Sequence, residues 1–388
     1  MTSLVTPELE ARAIAWRRHL HQNPELSFQE HETSSFLFEL LGGLEGIELD
    51  RPTETSLVAT MRTGRPGKTL ALRADIDALP IHEETGLEFA SQSPGVMHAC
   101  GHDGHTAMLL ATLNALHERR DELRGEIRFI FQHAEELGPG GAGQLVEAGV
   151  MDGVDLVVGA HLFSLDPLGK VGVLSGPHTA AADVFEIEIR GKGGHGAAPH
   201  ESVDPVTAAA QVVSGLQHVV SRVVDPIERA VVSVTKIHAG TADNIIPEAV
   251  ELGGTVRTFT AEVRTAVREA MERFARGIAE AHGCTSTFTY EEGYDSVVND
   301  EEASALVEAA VREELGDDAF FVPPPIMGGE DFSAYLRAAP GAFFIVGAGG
   351  KDRYPHHHPR FDWDESAMRN GIAVFTRLAL NYLHGGQD

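Results

Sequence analysis

The segment from Val184 to Tyr290 carries a pattern that few architectures satisfy. Val184–Arg190 alternates apolar and polar residues as a half-buried strand does, and Asp204–Val220 has helical spacing. Ala230–His238 and Ala249–Thr258 read as strands, Glu262–His282 as a long helix, and Thr285–Tyr290 as a last strand. The order β-α-β-β-α-β is that of a split-βαβ, ferredoxin-like unit, compact enough to be inserted into another domain.

The flanks keep a different rhythm. Leu57–Thr60, Thr69–Arg73, Glu126–Gln132 and Leu156–Leu162 read as strands and Gly104–Arg120 as a helix, while Thr6-Pro7-Glu8 is a helix start. Helix and strand resume at Glu301–Leu315, Ala342–Val346 and Asp364–His384. Strands alternating with helices predict an α/β layer on a largely parallel sheet. At 388 residues the chain is longer than one core usually serves. We therefore expect one domain built from residues 1–180 and 294–388, with residues 181–293 inserted as a second.

Two glycine-rich stretches invite a phosphate reading and fail it. Gly138-Pro-Gly-Gly-Ala-Gly143 matches a dinucleotide pattern after a strand, but Glu135 and Glu136 would repel a pyrophosphate. Gly64-Arg-Pro-Gly-Lys-Thr69 ends like a phosphate loop, yet Arg62 stands where glycine is needed, so we read a hairpin turn. The net charge of −28 repels nucleic acid and anionic lipid, and excludes both as partners. A small anionic substrate would need a local basic pocket. Apolar runs such as Leu156–Ala160 are too short for a bilayer. The first twenty residues show no apolar stretch behind a basic head, and two cysteines make no disulfide framework. Both features predict a cytoplasmic chain.

One of those cysteines stands in Met97-His-Ala-Cys-Gly-His102, where a thiolate and an imidazole share a tight turn and can face one ion. Other ligand types sit at strand ends. Asp75-Ile-Asp77 and Gln132-His-Ala-Glu-Glu136 follow strands, His161 closes Leu156–Ala160, and Pro355-His-His-His-Pro359 follows Ala342–Val346. Open α/β sheets gather ligands outside the carboxyl ends of their strands, so these signals support one another. Cys100, His102, Glu136, His161 and His357 would give each of two ions three contacts if the sulfur is shared. Sulfur, imidazole and carboxylate suit zinc, manganese, cobalt or nickel. Glu135 and Glu136 point oppositely in extended backbone, so one can bind metal while the other stands beside the attacking water as base.

With these residues in hand the chain resembles the metal-dependent amidohydrolases that include hippurate hydrolases, aminoacylases and auxin-conjugate hydrolases. The resemblance runs through His21-Gln-Asn-Pro-Glu-Leu-Ser-Phe28, Arg73-Ala-Asp-Ile-Asp-Ala-Leu-Pro80, Met97–Asp103, Gln132–Glu136 and Gly159-Ala-His161. It continues through Gly191–Pro199, Asn244-Ile-Ile-Pro247, Gly328-Gly-Glu-Asp-Phe332 and His357-His-Pro-Arg-Phe361. It implies a two-layer metallopeptidase domain with an inserted lid, and a homo-oligomer formed through that lid. It also implies the five ligands named above, with H-x-P-x-F selecting His357 among the three histidines, and Glu135 as general base. Asp77 would orient a ligand, His195 would polarise the scissile carbonyl, and Asn244 and Arg257 would hold a substrate carboxylate. Glu330 and Asp331 fall in a matching motif without an assigned role. The activity implied is amide hydrolysis of N-acyl amino acids. A dipeptidase or aminopeptidase with the same site is the alternative, and a metal-binding protein without catalysis a more distant one.

Overall fold

Thr69–Asp75 is the central strand of the larger sheet in the computed structural model, which describes residues 4–384. The order across the sheet is Ile47–Asp50, Leu57–Arg62, Glu126–Gln132, Thr69–Asp75, Leu156–Pro167 and Gly341–Gly349. Two-residue strands, Val171–Gly172 and Phe320–Phe321, extend the far edge. The run from Glu126–Gln132 to Gly341–Gly349 is parallel, and the first two strands are antiparallel. Parallel strands covered on both faces must be apolar nearly throughout, as Phe343-Phe-Ile-Val346 is.

Leu70, Leu72, Phe129, Phe131, Val158 and Phe344 share one core with the helices Pro7–Gln22, His102–His117, Glu301–Leu315 and Ala367–Leu383. Each large apolar side chain buried there stabilises the fold by roughly 1.5–3 kcal/mol. On the opposite face Ala71, Ile130, Val157 and Phe343 pack with two short helices, Ala142–Glu147 and Ser333–Leu336. Pro7–Gln22 starts where the sequence predicts, with Thr6 Oγ1 accepting from the Leu9 N–H at 3.2 Å. His102–His117 is buried almost throughout. Gly104 permits this, because a Cβ there would lie 2.5 Å from the side chains of Leu162 and Trp363.

The hairpin expected at Gly64–Thr69 is not formed. Glu126–Gln132 runs between the two strands that it would have joined. The intervening loop instead crosses the start of that third strand, where the Gly125 N–H donates to Arg65 O (2.9 Å) and the Glu126 N–H to Lys68 O (3.0 Å). A helix, His31–Gly42, and the edge strand Ile47–Asp50 are additions that the sequence reading did not contain.

The chain divides into two compact units, Met1–Gly176 with Val297–Pro324 and Asp331–Asp388, and Pro177–Ser296 with Pro325–Glu330. The second unit has an antiparallel sheet in the order Ala230–Ala239, Ala249–Thr258, Ala181–Arg190, Thr285–Tyr294. Phe185, Ile187, Val250, Leu252 and Val256 bury one face against the helices Pro205–His218 and Ala261–Ala281. This is the ferredoxin-like order. The short return of residues 325–330 comes through the Ile326 N–H to His178 O (2.9 Å) and the Ala180 N–H to Ile326 O (3.1 Å). It follows the run Pro323-Pro-Pro325, which has no periodicity to announce it. Among the described residues no helix is long and apolar enough to cross a membrane.

Candidate metal centre

Register brings the ligand types to one level. Asp75 lies opposite Gln132, and Arg73 opposite Gly159, so His161, two residues further on, is level with Asp75. His161 does not close its strand as expected. Pairing with Gly341–Gly349 continues past it, Ile345 lying opposite, and carries the strand to Pro167. Gly101, at φ 96°, makes the left-handed turn that sets Cys100 immediately before the helix beginning at His102.

The sulfur of Cys100 belongs to two triads at once. Ligand atoms of Cys100, His102 and His161 lie within 4.8 Å of one another, as do those of Cys100, Glu136 and His357. Cys100 Sγ is 3.5 Å from His161 Nε2, and His357 Nε2 is 3.1 Å from Glu136 Oε1. The far sides of the rings are anchored. His102 Nδ1 donates to Asp77, 3.0 Å from its backbone carbonyl and 3.2 Å from Oδ1, and His161 Nδ1 donates to Leu162 O at 2.8 Å. Each therefore turns Nε2 toward the cluster. The three consecutive histidines separate by their partners. His356 Nε2 donates to Leu162 O (2.8 Å), His358 Nδ1 accepts from the Arg360 N–H (3.0 Å), and His357 faces Glu136.

Glu135 and Glu136 do not diverge as extended backbone would have them. Ala134 is left-handed, at φ 50°, and the bend after it brings both carboxylates within 4.8 Å of each other and of the His102 ligand atom. His357, at φ 64°, is a second strained position, held by its N–H to Ala99 O at 2.8 Å.

Burial, then the carboxylates of Glu136, Glu135 and Asp75, push the Cys100 thiol well above its ordinary value. Burial would lower His102, but Asp75, Asp77 and Glu136 hold it up at about 10. Both shifts reflect negative charge gathered in a buried place. A divalent cation would reverse them, stabilising a thiolate and a neutral imidazole. Among the described residues His102 Nε2 and Glu136 Oε1 are buried and make no hydrogen bond, although His357 stands close to the latter. Converging donors without hydrogen-bond partners are what a metal site requires, so the residues fit a metal.

Three participants had no individual role in the sequence reading. Asp75 is spent on Arg73 (2.7 Å) and His105 Nδ1 (2.7 Å), and His105 Nε2 accepts from the Leu162 N–H at 2.8 Å. Both carboxylate oxygens of Asp75 and both ring nitrogens of His105 are thus engaged, and the pair braces the cluster. His105 follows His102 by one helical turn, and that spacing was the available signal. Asp331 accepts from Arg73 (3.0 Å), from Gln132 Nε2 (2.9 and 2.8 Å) and from the Ala142 N–H (2.9 Å). A carboxylate thus already satisfies the helix start in the glycine-rich stretch that mimicked a nucleotide site.

His195, Asn244 and Arg257 lie in the second unit. His195 pairs with Ile245, and the Gly196 N–H donates to Asn244 O at 2.8 Å, so these two are neighbours. His195 Nδ1 accepts from the Ala197 N–H (3.1 Å), which leaves the proton on Nε2 in the neutral ring. Arg257 bonds to Thr255 and to Val256 O (2.9 Å) on its own strand.

Residues 71–381 match the peptidase family M20/M25/M40. The N-acyl-L-amino acid amidohydrolase of Geobacillus stearothermophilus is 56% identical over 295 residues, covering 76% of this chain and 80% of the relative. The N-acetylcysteine deacetylase of Bacillus subtilis is 46% identical over 371 residues, 95% of this chain and 96% of the relative. A solved Bacillus subtilis structure, described as a dinuclear metal binding peptidase, superimposes with a TM-score of 0.87 at 41% identity. That match covers 96% of this chain and 98% of the other. The chain belongs to the peptidase family M20/M25/M40.

Proposed function

We propose that this chain hydrolyses the amide bond of N-acyl amino acids at a dinuclear metal site, releasing a carboxylic acid and an amino acid. The observation that carries the proposal is the single sulfur shared by two donor triads, with His102 Nε2 and Glu136 Oε1 buried and without hydrogen bonds. Cys100, His102 and His161 would hold one ion, and Cys100, Glu136 and His357 the other. Asp77 orients His102. Zinc, manganese, cobalt or nickel suits this set and would supply Lewis acidity toward water and the carbonyl oxygen. Glu135 takes the proton of the attacking water as the C–O bond forms, and gives it to the nitrogen as the C–N bond breaks. His195 would donate from Nε2 to the developing oxyanion, and Asn244 or Arg257, which stand toward opposite ends of the strand Ala249–Thr258, would hold the substrate carboxylate.

The acyl amino acid class is supported by the names of the two relatives, an amidohydrolase and a deacetylase. We infer in addition a cytoplasmic enzyme that pairs through its inserted unit. A panel of N-acetyl and N-benzoyl amino acids, with dipeptides alongside, tests the substrate class by release of free amine. Turnover of the acyl amino acids is expected. Turnover of the dipeptides alone would make the enzyme a peptidase.

A further inference from the structure

The segment Ser27–Glu30 leads out of the His21–Phe28 motif, which the mechanism above leaves unused, and it reaches the back of the metal centre at several points. Ser27 Oγ donates to Asp77 Oδ2 at 2.7 Å, and that oxygen also accepts the Glu136 N–H at 2.9 Å. The Phe28 ring meets His133 edge to face at 5.5 Å, with Phe28 itself left-handed at φ 65°. Glu30 is fully buried and its Oε1 accepts the Ala134 N–H at 2.8 Å.

Ala134 is the residue on which the two glutamates turn. An alanine at φ 50° suffers the contact between Cβ and backbone that makes this region rare for L-residues, so something must hold it there. Both its polar groups are held. The N–H is bound by Glu30, and the carbonyl accepts the Gly141 N–H at 3.0 Å. Glu30 stands at the N-cap of His31–Gly42 but makes no side-chain cap bond, its carboxyl being directed to Ala134 instead.

We propose that Glu30 is a positioning residue whose carboxyl oxygen holds the left-handed turn at Ala134 and so delivers Glu135 and Glu136 to the metal centre. This rests on the roles assigned above to those two glutamates. What Glu30 supplies is an acceptor at the right reach. Glutamine keeps the acceptor, aspartate keeps the carboxyl but falls short, and alanine removes both. Glycine at position 134 adopts positive φ without the Cβ contact and should lessen the need for Glu30.

The test compares metal-loaded E30Q, E30D, E30A and E30A/A134G with the parent, with E136Q as reference. Retained metal is read by elemental analysis across a chelator series, and kcat and KM on an N-acetyl amino acid. We expect E30Q within about twofold of the parent. E30D and E30A should lose roughly 10–100-fold in metal affinity, with kcat falling and KM nearly steady. A134G should restore part of the loss in E30A. E30D and E30Q remain decisive if E30A does not fold. Parent-like metal affinity in E30D, or E30Q as damaged as E30D, would overturn the proposal. E136Q that keeps its metals as tightly as the parent would instead overturn the site assignment on which the proposal stands.

Discussion

Cys100 sits in a pocket whose charge works against its own ionisation until a cation arrives, because burial and the neighbouring carboxylates favour the neutral thiol. Serine at this position is a poorer ligand for both ions, so Cys100→Ser should lower metal content and activity together. Two ions retained at parental affinity, by elemental analysis, would remove the shared sulfur. The glutamates should part in their effects even though both reach the cluster. Glu135→Gln should keep the metals while kcat falls by roughly 100-fold or more, whereas Glu136→Gln should release metal. The reverse pattern would exchange the two roles. The ligand types themselves were legible in the sequence, because rare thiol and clustered imidazoles at strand ends have few other uses. The role of Asp331 was not, since its bond to Arg73 spans 258 positions and no local pattern encodes it. The bend at Ala134 was hidden too, because alanine does not advertise a left-handed backbone.

The long elements follow their apolar periods, and Glu126–Gln132, Ala249–Thr258 and Glu301–Leu315 have the bounds that the sequence predicts. His31–Gly42 escaped because its N-cap residue, Glu30, is turned elsewhere, and the first-turn N–H groups of Glu32 and Thr33 are capped instead by the more distant Glu25. The false hairpin arose from a different limit. A turn-rich loop between two strands looks the same whether or not a third strand from much later in the chain, here Glu126–Gln132, enters between them. At the element scale the buried helix His102–His117 makes a sharp demand at Gly104. Gly104→Ala would drive a Cβ into Leu162 and Trp363, and should cost about 1–3 kcal/mol by overpacking. The midpoint of urea unfolding checks this, and an unchanged midpoint would mean that the helix and strand can part without cost.

Over the whole molecule a net charge of −28 opposes any anionic substrate, so a local cation must offset it. Arg257→Ala should raise KM for N-acyl amino acids by an amount worth roughly 1.5–3 kcal/mol. Substrates whose carboxylate is an amide should be indifferent to the change, and equal losses on acid and amide would make Arg257 structural. Stability should also carry a pH signature from Glu30, which burial raises from 4.5 to about 7. The folded state favours its neutral form, so its contribution is full below pH 4.5 and is lost as pH rises through about 7. The melting temperature of the parent relative to Glu30→Gln should fall across that window, by an amount equivalent to at most about 3 kcal/mol. A difference independent of pH would mean that Glu30 does not titrate there. The most direct measurement is a metal titration of chelated protein, following bound ions per chain and free amine released from an N-acyl amino acid in the same samples. We expect no activity without metal, and a return that reaches its plateau at two ions per chain. Full hydrolysis by the metal-free chain, or two bound ions with no hydrolysis of any acyl amino acid, would contradict a dinuclear amidohydrolase.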